Sequence, residues 1–99
     1  MIERHWKGLA RFDEAQNYEY HLKTETFPAL AGIGGFVNAR ILKRQTTEGV
    51  EFLIITIWQS VEAIVGFAGQ NIDIAVVPDK VVKMMITYDN IAMHYEVVK

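Results

Sequence analysis

Three histidines, His5, His21 and His94, are the side chains of this sequence whose ordinary titration falls near neutral pH. His94 lies in a tail where Ile91, Met93, Tyr95 and Val97 alternate with Tyr88, Asn90, Ala92, His94 and Glu96. An imidazole opening onto a mostly apolar cavity can take a proton from a phenol or an enol. The competing reading is an imidazole satisfied by a neighbouring strand or by a second copy of the chain. Glu25 shares a helical stripe with Tyr18 and Leu22, and His21 precedes it by one turn. Partly desolvated, this carboxylate would act as a base or orient the imidazole; at the margin of the stripe it would reach solvent or pair with Arg40.

Other side chains could hold a substrate. Tyr18 and Tyr88 can bury their rings and turn their hydroxyls to a polar partner. Trp58 either anchors a helix or stacks on an aromatic ligand. Asn38 and Arg40 share one face of a strand, where they bind an oxyanion or carboxylate or simply meet solvent. The histidines have no ligand spacing such as H-x-x-x-H, so no metal site is expected, although His5 and His94 lie on strands that should be neighbours. Gly34-Gly35 is a turn and not a phosphate loop, because no lysine or helix start follows. The absence of cysteine excludes a thiolate nucleophile, a thiolate metal site and a disulfide.

The elements that must position these groups follow from pattern. Residues 4–12 read as a strand. Asp13 then caps a helix, with Gln16 three residues on, and the helix runs to about Phe27, where Pro28 prevents simple continuation. Ala15, Tyr18, Leu22, Glu25 and Ala29 form its inward stripe. After a glycine-rich return, residues 36–45 and 50–59 form a hairpin around Thr46-Thr47-Glu48-Gly49. Ser60 caps a second helix, Pro78 opens a further helical turn, and residues 86–98 form the last strand. The order predicts an α+β, ferredoxin-like βαββαβ unit, a single domain over residues 1–99. Its four-stranded antiparallel sheet carries both helices on one face.

The strand over 50–59 is apolar on both faces, with Phe52, Ile54 and Trp58 alternating with Leu53, Ile55 and Ile57. An antiparallel sheet with one wet face would show polar alternation instead. Helices can cover only one face, so the other predicts a homodimer through the sheet. A hydrophobic content of 51% over 99 residues supports the same expectation. A formal net charge of −2, with Lys and Arg scattered among acids, argues against a nucleic-acid partner. No apolar run reaches the length of a membrane span, and the segment Met1-Ile2-Glu3-Arg4-His5 lacks the apolar core of a signal peptide. A cytoplasmic protein is expected.

The chain resembles the antibiotic-biosynthesis-monooxygenase-type proteins of the dimeric α/β-barrel superfamily. The resemblance rests on the element order, on Ile57-Trp58-Gln59-Ser60 followed by Glu62-Ala63 and Phe67, and on the ending His94-Tyr95-Glu96-Val97-Val98. Gly35-Phe36, Thr26-Phe27-Pro28 and Ala75-Val76-Val77-Pro78 also fit. It implies a dimeric barrel and a monooxygenase-like activity without a cofactor on a small aromatic, quinol or polyketide-like substrate, in a pocket between sheet and helices. His94 would be the proton acceptor, with Tyr18, Glu25 and Trp58 orienting or stacking the substrate. The haem-degrading branch of that superfamily uses an Asn on the first strand, a Trp on the second helix and a His ten residues beyond it. Here the strand has no Asn, and Phe67 and Val77 stand at the other two positions. A non-catalytic, small-molecule-binding or stress-associated module is the alternative function, and a purely structural dimerisation domain the third.

Overall fold

The computed structural model describes residues 1–99. The elements run β1 (Ile2–Ala10), α1 (Ala15–His21), a π-helical turn (Leu22–Thr26), α2 (Phe27–Ala31), β2 (Phe36–Gln45) and β3 (Val50–Trp58). They continue with α3 (Val61–Ala68), α4 (Asp79–Val82), β4 (Met85–Tyr88) and β5 (Met93–Glu96). The antiparallel sheet has the order β2-β3-β1-β4, and β5 also pairs with β1. The predicted last strand is thus broken in two. Ile91 leaves the sheet to bridge Ile74, so β4 and β5 share the fourth position along different lengths of β1.

The α+β, ferredoxin-like architecture stands, and two local expectations are corrected. Glu14, not Asp13, precedes the first helical residue, and no side chain caps that end. Nor does the helix stop at Phe27. The Phe27 N–H donates to the Leu22 carbonyl five residues back, and the chain continues helically to Ala31. The wide turn absorbs the donor that Pro28 cannot supply, a common use of a π segment. It also rotates the inward stripe by one residue. Beyond Leu22 the buried positions are not Glu25 and Ala29, which are exposed; Thr26 turns partly inward and Leu30 is buried. Ser60 behaves as predicted, its Oγ accepting the Ala63 N–H at 3.3 Å.

The helices cover one face of the sheet. Ala10, Phe52, Ile54 and Met85 from the strands pack against Ala15, Tyr18 and Leu22 from the helix, and Trp58 packs with Leu30 and Ile64. The opposite face carries Leu42, Leu53, Ile55, Ile57, Met93 and Tyr95. Of these Leu42, Met93 and Tyr95 are largely exposed.

Candidate functional site

Between the helical layer and the sheet lies a cavity of about 130 Å³, lined mainly by apolar side chains. The strands supply Arg4, Trp6, Ile54 and Thr56, and the helix and its π turn supply Tyr18, His21, Leu22, Thr26, Phe27 and Leu30. Phe67 and the segment Val76–Pro78 with Val81 complete the wall. An apolar cavity on the order of 150 Å³ takes a benzene molecule, so this one is matched to a single aromatic ring. Trp6 finds its place because Gly8 has no side chain: a Cβ there would stand 2.6 Å from the indole ring.

Polar groups enter this apolar space at a few points. The sheet register sets Thr56, Arg4 and His94 in one row across β3, β1 and β5. Arg4 as a whole is 5% exposed, and its guanidinium lies over the Phe67 ring at 5.7 Å. Its Nη1 donates to the Ile72 carbonyl and to His94 Nε2 at 2.8 Å, and its Nη2 donates to the Ile74 carbonyl at 3.2 Å. Burial pulls the Arg4 pKa below its ordinary value, and the Asp73 carboxylate partly opposes the shift. Such a group nevertheless stays charged. The Thr56 hydroxyl accepts from Trp58 Nε1 at 2.9 Å, which leaves its own proton to donate.

From the helical side, His21 Nδ1 lies 3.1 Å from Glu25 Oε2, and the same carboxylate oxygen accepts from Lys80 Nζ at 2.7 Å. Nδ1 is thus the ring nitrogen engaged by the carboxylate, and Nε2 has no protein partner. Lys80 and then His21 hold the Glu25 carboxyl below its usual range. The Tyr18 hydroxyl has no protein partner either, yet no fully enclosed polar side-chain atom of the chain lacks one. It therefore remains reachable, and burial raises its pKa far enough to keep it a neutral donor.

Among the residues expected from sequence, Tyr18 and His21 line the cavity, and Glu25 stands at its edge behind His21. His94 does not line it. It sits behind Arg4, with Nε2 taken by the guanidinium and Nδ1 at 3.4 Å from Asp73 Oδ1. Trp58 is wholly buried and reaches the site only through Thr56. Tyr88 lines a separate polar depression beside Lys7 and Arg44. Asn38 and Arg40 pair with Ile57 and Ile55 on the sheet face away from the helices, so they do not reach the cavity. His5 and His94 are on adjacent strands but opposite faces, which keeps them apart.

Sequence reasoning missed Arg4 and Thr56. The available signal was parity: Arg4 shares the inward set of β1 with Trp6, Gly8 and Ala10, where a cation is out of place.

A ferredoxin-like sheet with a ring-sized cavity beneath its helices defines the class as a small α+β protein with an apolar cavity between its two layers. No family model matches the chain, and no curated protein matches it in sequence. Solved structures do match in fold. A Bacillus cereus protein provisionally described as an antibiotic biosynthesis monooxygenase superposes with a TM-score of 0.69 at 15% identity, covering 100% of this chain and 93% of that one. A Deinococcus radiodurans protein of the same provisional description gives 0.67 at 15% identity, covering 100% and 94%. A point mutant of MhuD, solved with two manganese protoporphyrin IX molecules per active site, gives 0.65 at 17% identity, covering 100% and 96%. The chain thus has the fold of antibiotic-biosynthesis-monooxygenase-type proteins, as the resemblance implied. Phe67 and Val77, the two positions at which the haem-degrading branch would carry its Trp and His, both line the cavity, and the one imidazole among the lining residues is His21.

Proposed function

We propose that this protein is a monooxygenase-like enzyme that works without a cofactor on a small phenolic or quinol-type aromatic in the cavity between sheet and helices. The observation that carries the reading is His21: its Nδ1 is held by Glu25, its Nε2 has no protein partner, and the residue lines a largely apolar cavity. That is the arrangement of an oriented general base. His21 here replaces His94 as proton acceptor, because the His94 lone pair is already engaged by Arg4.

His21 Nε2 takes the phenolic proton, and the apolar walls raise the energy of the resulting anion. That anion reduces molecular oxygen. One oxygen atom enters the ring as a carbonyl and the other leaves as water. The substrate supplies all four electrons, so a phenol and O₂ give a quinone and water. Tyr18 and Thr56 offer hydroxyl donors to developing negative charge.

Oxygen uptake on a panel of phenols and quinols, without added flavin, metal or reductant, tests the reading. Uptake matched one to one by quinone, and reduced about 10²- to 10⁴-fold by His21→Asn, is expected. Binding without uptake across the panel would instead leave a non-catalytic small-molecule module.

The exposed apolar face of the sheet supports a homodimer. Leu42, Met93 and Tyr95 form an apolar surface there with the partly covered Leu53 and Ile57, and a second copy presenting the same face would bury it.

A further inference from the structure

We propose that Arg4 is the anchor of a carboxylate subsite, and that the cavity takes a monocyclic aromatic carboxylate of benzoate size. This deepens the functional reading above and rests on it only in treating the cavity as a ligand site.

The first observation is a buried charge with no directly paired carboxylate, Asp73 acting on it only from a distance. Arg4 is buried, yet it makes none of the chain's ion pairs: no carboxylate oxygen comes within 4.0 Å of it. Its partners are two backbone carbonyls and an imidazole, which satisfy N–H groups without cancelling a charge. A buried cation held in this way is costly unless something anionic joins it.

The second observation concerns which donors remain. A guanidinium carries five N–H groups. Nη1 has spent both of its own and Nη2 one, while Nε has no protein partner. Nε–H and one Nη2–H therefore remain as charge-assisted donors for an acidic acceptor. No enclosed polar side-chain atom is unpartnered, so Nε is reachable, and the space Arg4 borders is the cavity. Arg4 is also the only Lys or Arg among the lining residues.

Size and polarity set the rest of the ligand. Trp6, Tyr18, Phe27 and Phe67 surround a volume suited to one ring, and a phosphate would find too few donors in so apolar a space. With the carboxylate on Arg4, a ring hydroxyl is the group left for His21, so a hydroxybenzoate-type compound satisfies both ends.

The test is calorimetric titration of the wild-type protein with benzoate and with benzamide, its neutral counterpart of the same shape. Benzoate should bind roughly 10- to 100-fold more tightly, and Arg4→Met should remove that preference while benzamide still binds. Arg4→Lys should keep only part of it, since an ammonium lacks the fixed set of donors of a guanidinium. Equal affinity for the two probes, no binding of benzoate, or an undiminished preference in Arg4→Met would each overturn the proposal. If Arg4→Met does not fold, the wild-type comparison decides alone. Oxygen uptake is read separately, so loss of the oxygenase reading leaves this result intact. Equal binding of the two probes would remove the Arg4 subsite and leave the cavity and His21 in place.

Discussion

Arg4 Nη1 lies 2.8 Å from His94 Nε2, and because a guanidinium only donates, the imidazole must accept there. The remaining His94 proton is then on Nδ1, facing Asp73 Oδ1 at 3.4 Å. Asp73, His94 and Arg4 form a chain that holds the guanidinium plane in place from outside the cavity.

On the proposal that Arg4 anchors a carboxylate, His94 acts as a positioning residue. His94→Ala should weaken benzoate binding about 3- to 10-fold, the loss of one hydrogen bond that orients the cation, with benzamide unaffected. His94→Asn, whose side-chain oxygen can still accept, should restore part of the loss. Parallel titrations of both ligands separate this from general destabilisation, which would weaken both alike.

The same chain makes stability depend on pH. Burial first, and then the Arg4 charge, depress the His94 pKa below its ordinary 6.5, while Asp73 opposes them. Glu96 shares the strand face but adds no resolved effect on His94. With the folded value depressed, the unfolded chain binds the proton first. The contribution is thus fully present above about pH 6.5 and is lost as pH falls through the folded value. Thermal melts at about pH 7.5 and about pH 5.5 should show a fall that is smaller in His94→Asn.

Behind His21, the Glu25 carboxylate is shared with Lys80, which reaches from α4 to the helix on the other side of the cavity. Glu25→Gln keeps an acceptor for Nδ1 but removes the charge, and should lower turnover about 10-fold without abolishing it. Lys80→Met should change turnover less than Glu25→Gln, since the imidazole keeps its partner. Steady-state oxygen uptake orders the two variants.

Trp58→Phe removes the donor to Thr56 Oγ1 and leaves a small void in a wholly buried position. The expected loss of stability is about 1–3 kcal/mol, read from urea unfolding. The freed Thr56 hydroxyl can then turn away from the cavity, so ligand affinity should fall as well.

Leu42 is 45% exposed on the uncovered sheet face, so Leu42→Asp costs little within one copy. Light scattering should show the wild-type protein at twice the chain mass of 11.3 kDa and the variant at that mass. A wild-type monomer at low micromolar concentration would remove the dimer.

Much of this protein is legible in its sequence. Pattern placed strands over 4–12, 36–45 and 50–59, which match β2 and nearly β3, while β1 begins and ends two residues earlier than read. Ser60 marked the start of α3, and the two-sided apolar run Phe52–Trp58 singled out β3 as a strand wanting cover on both faces. These are local signals, since side-chain direction in a strand and the donor need of a helix start depend on near neighbours.

What only the tertiary structure decided is which polar groups meet. The π turn at Leu22–Thr26 inserts a residue into the helical count, so the stripe that pointed Glu25 inward carries Thr26 and Leu30 there instead. Periodicity cannot announce that shift, because it comes from accommodating Pro28 within a helix held down by packing. The break between β4 and β5 likewise sets the register that places His94 opposite Arg4. Sequence alone marked His94 as a side chain able to move protons. The row Thr56–Arg4–His94 gave its lone pair to a buried cation, and a cation enclosed without a directly paired carboxylate is a property of three strands together.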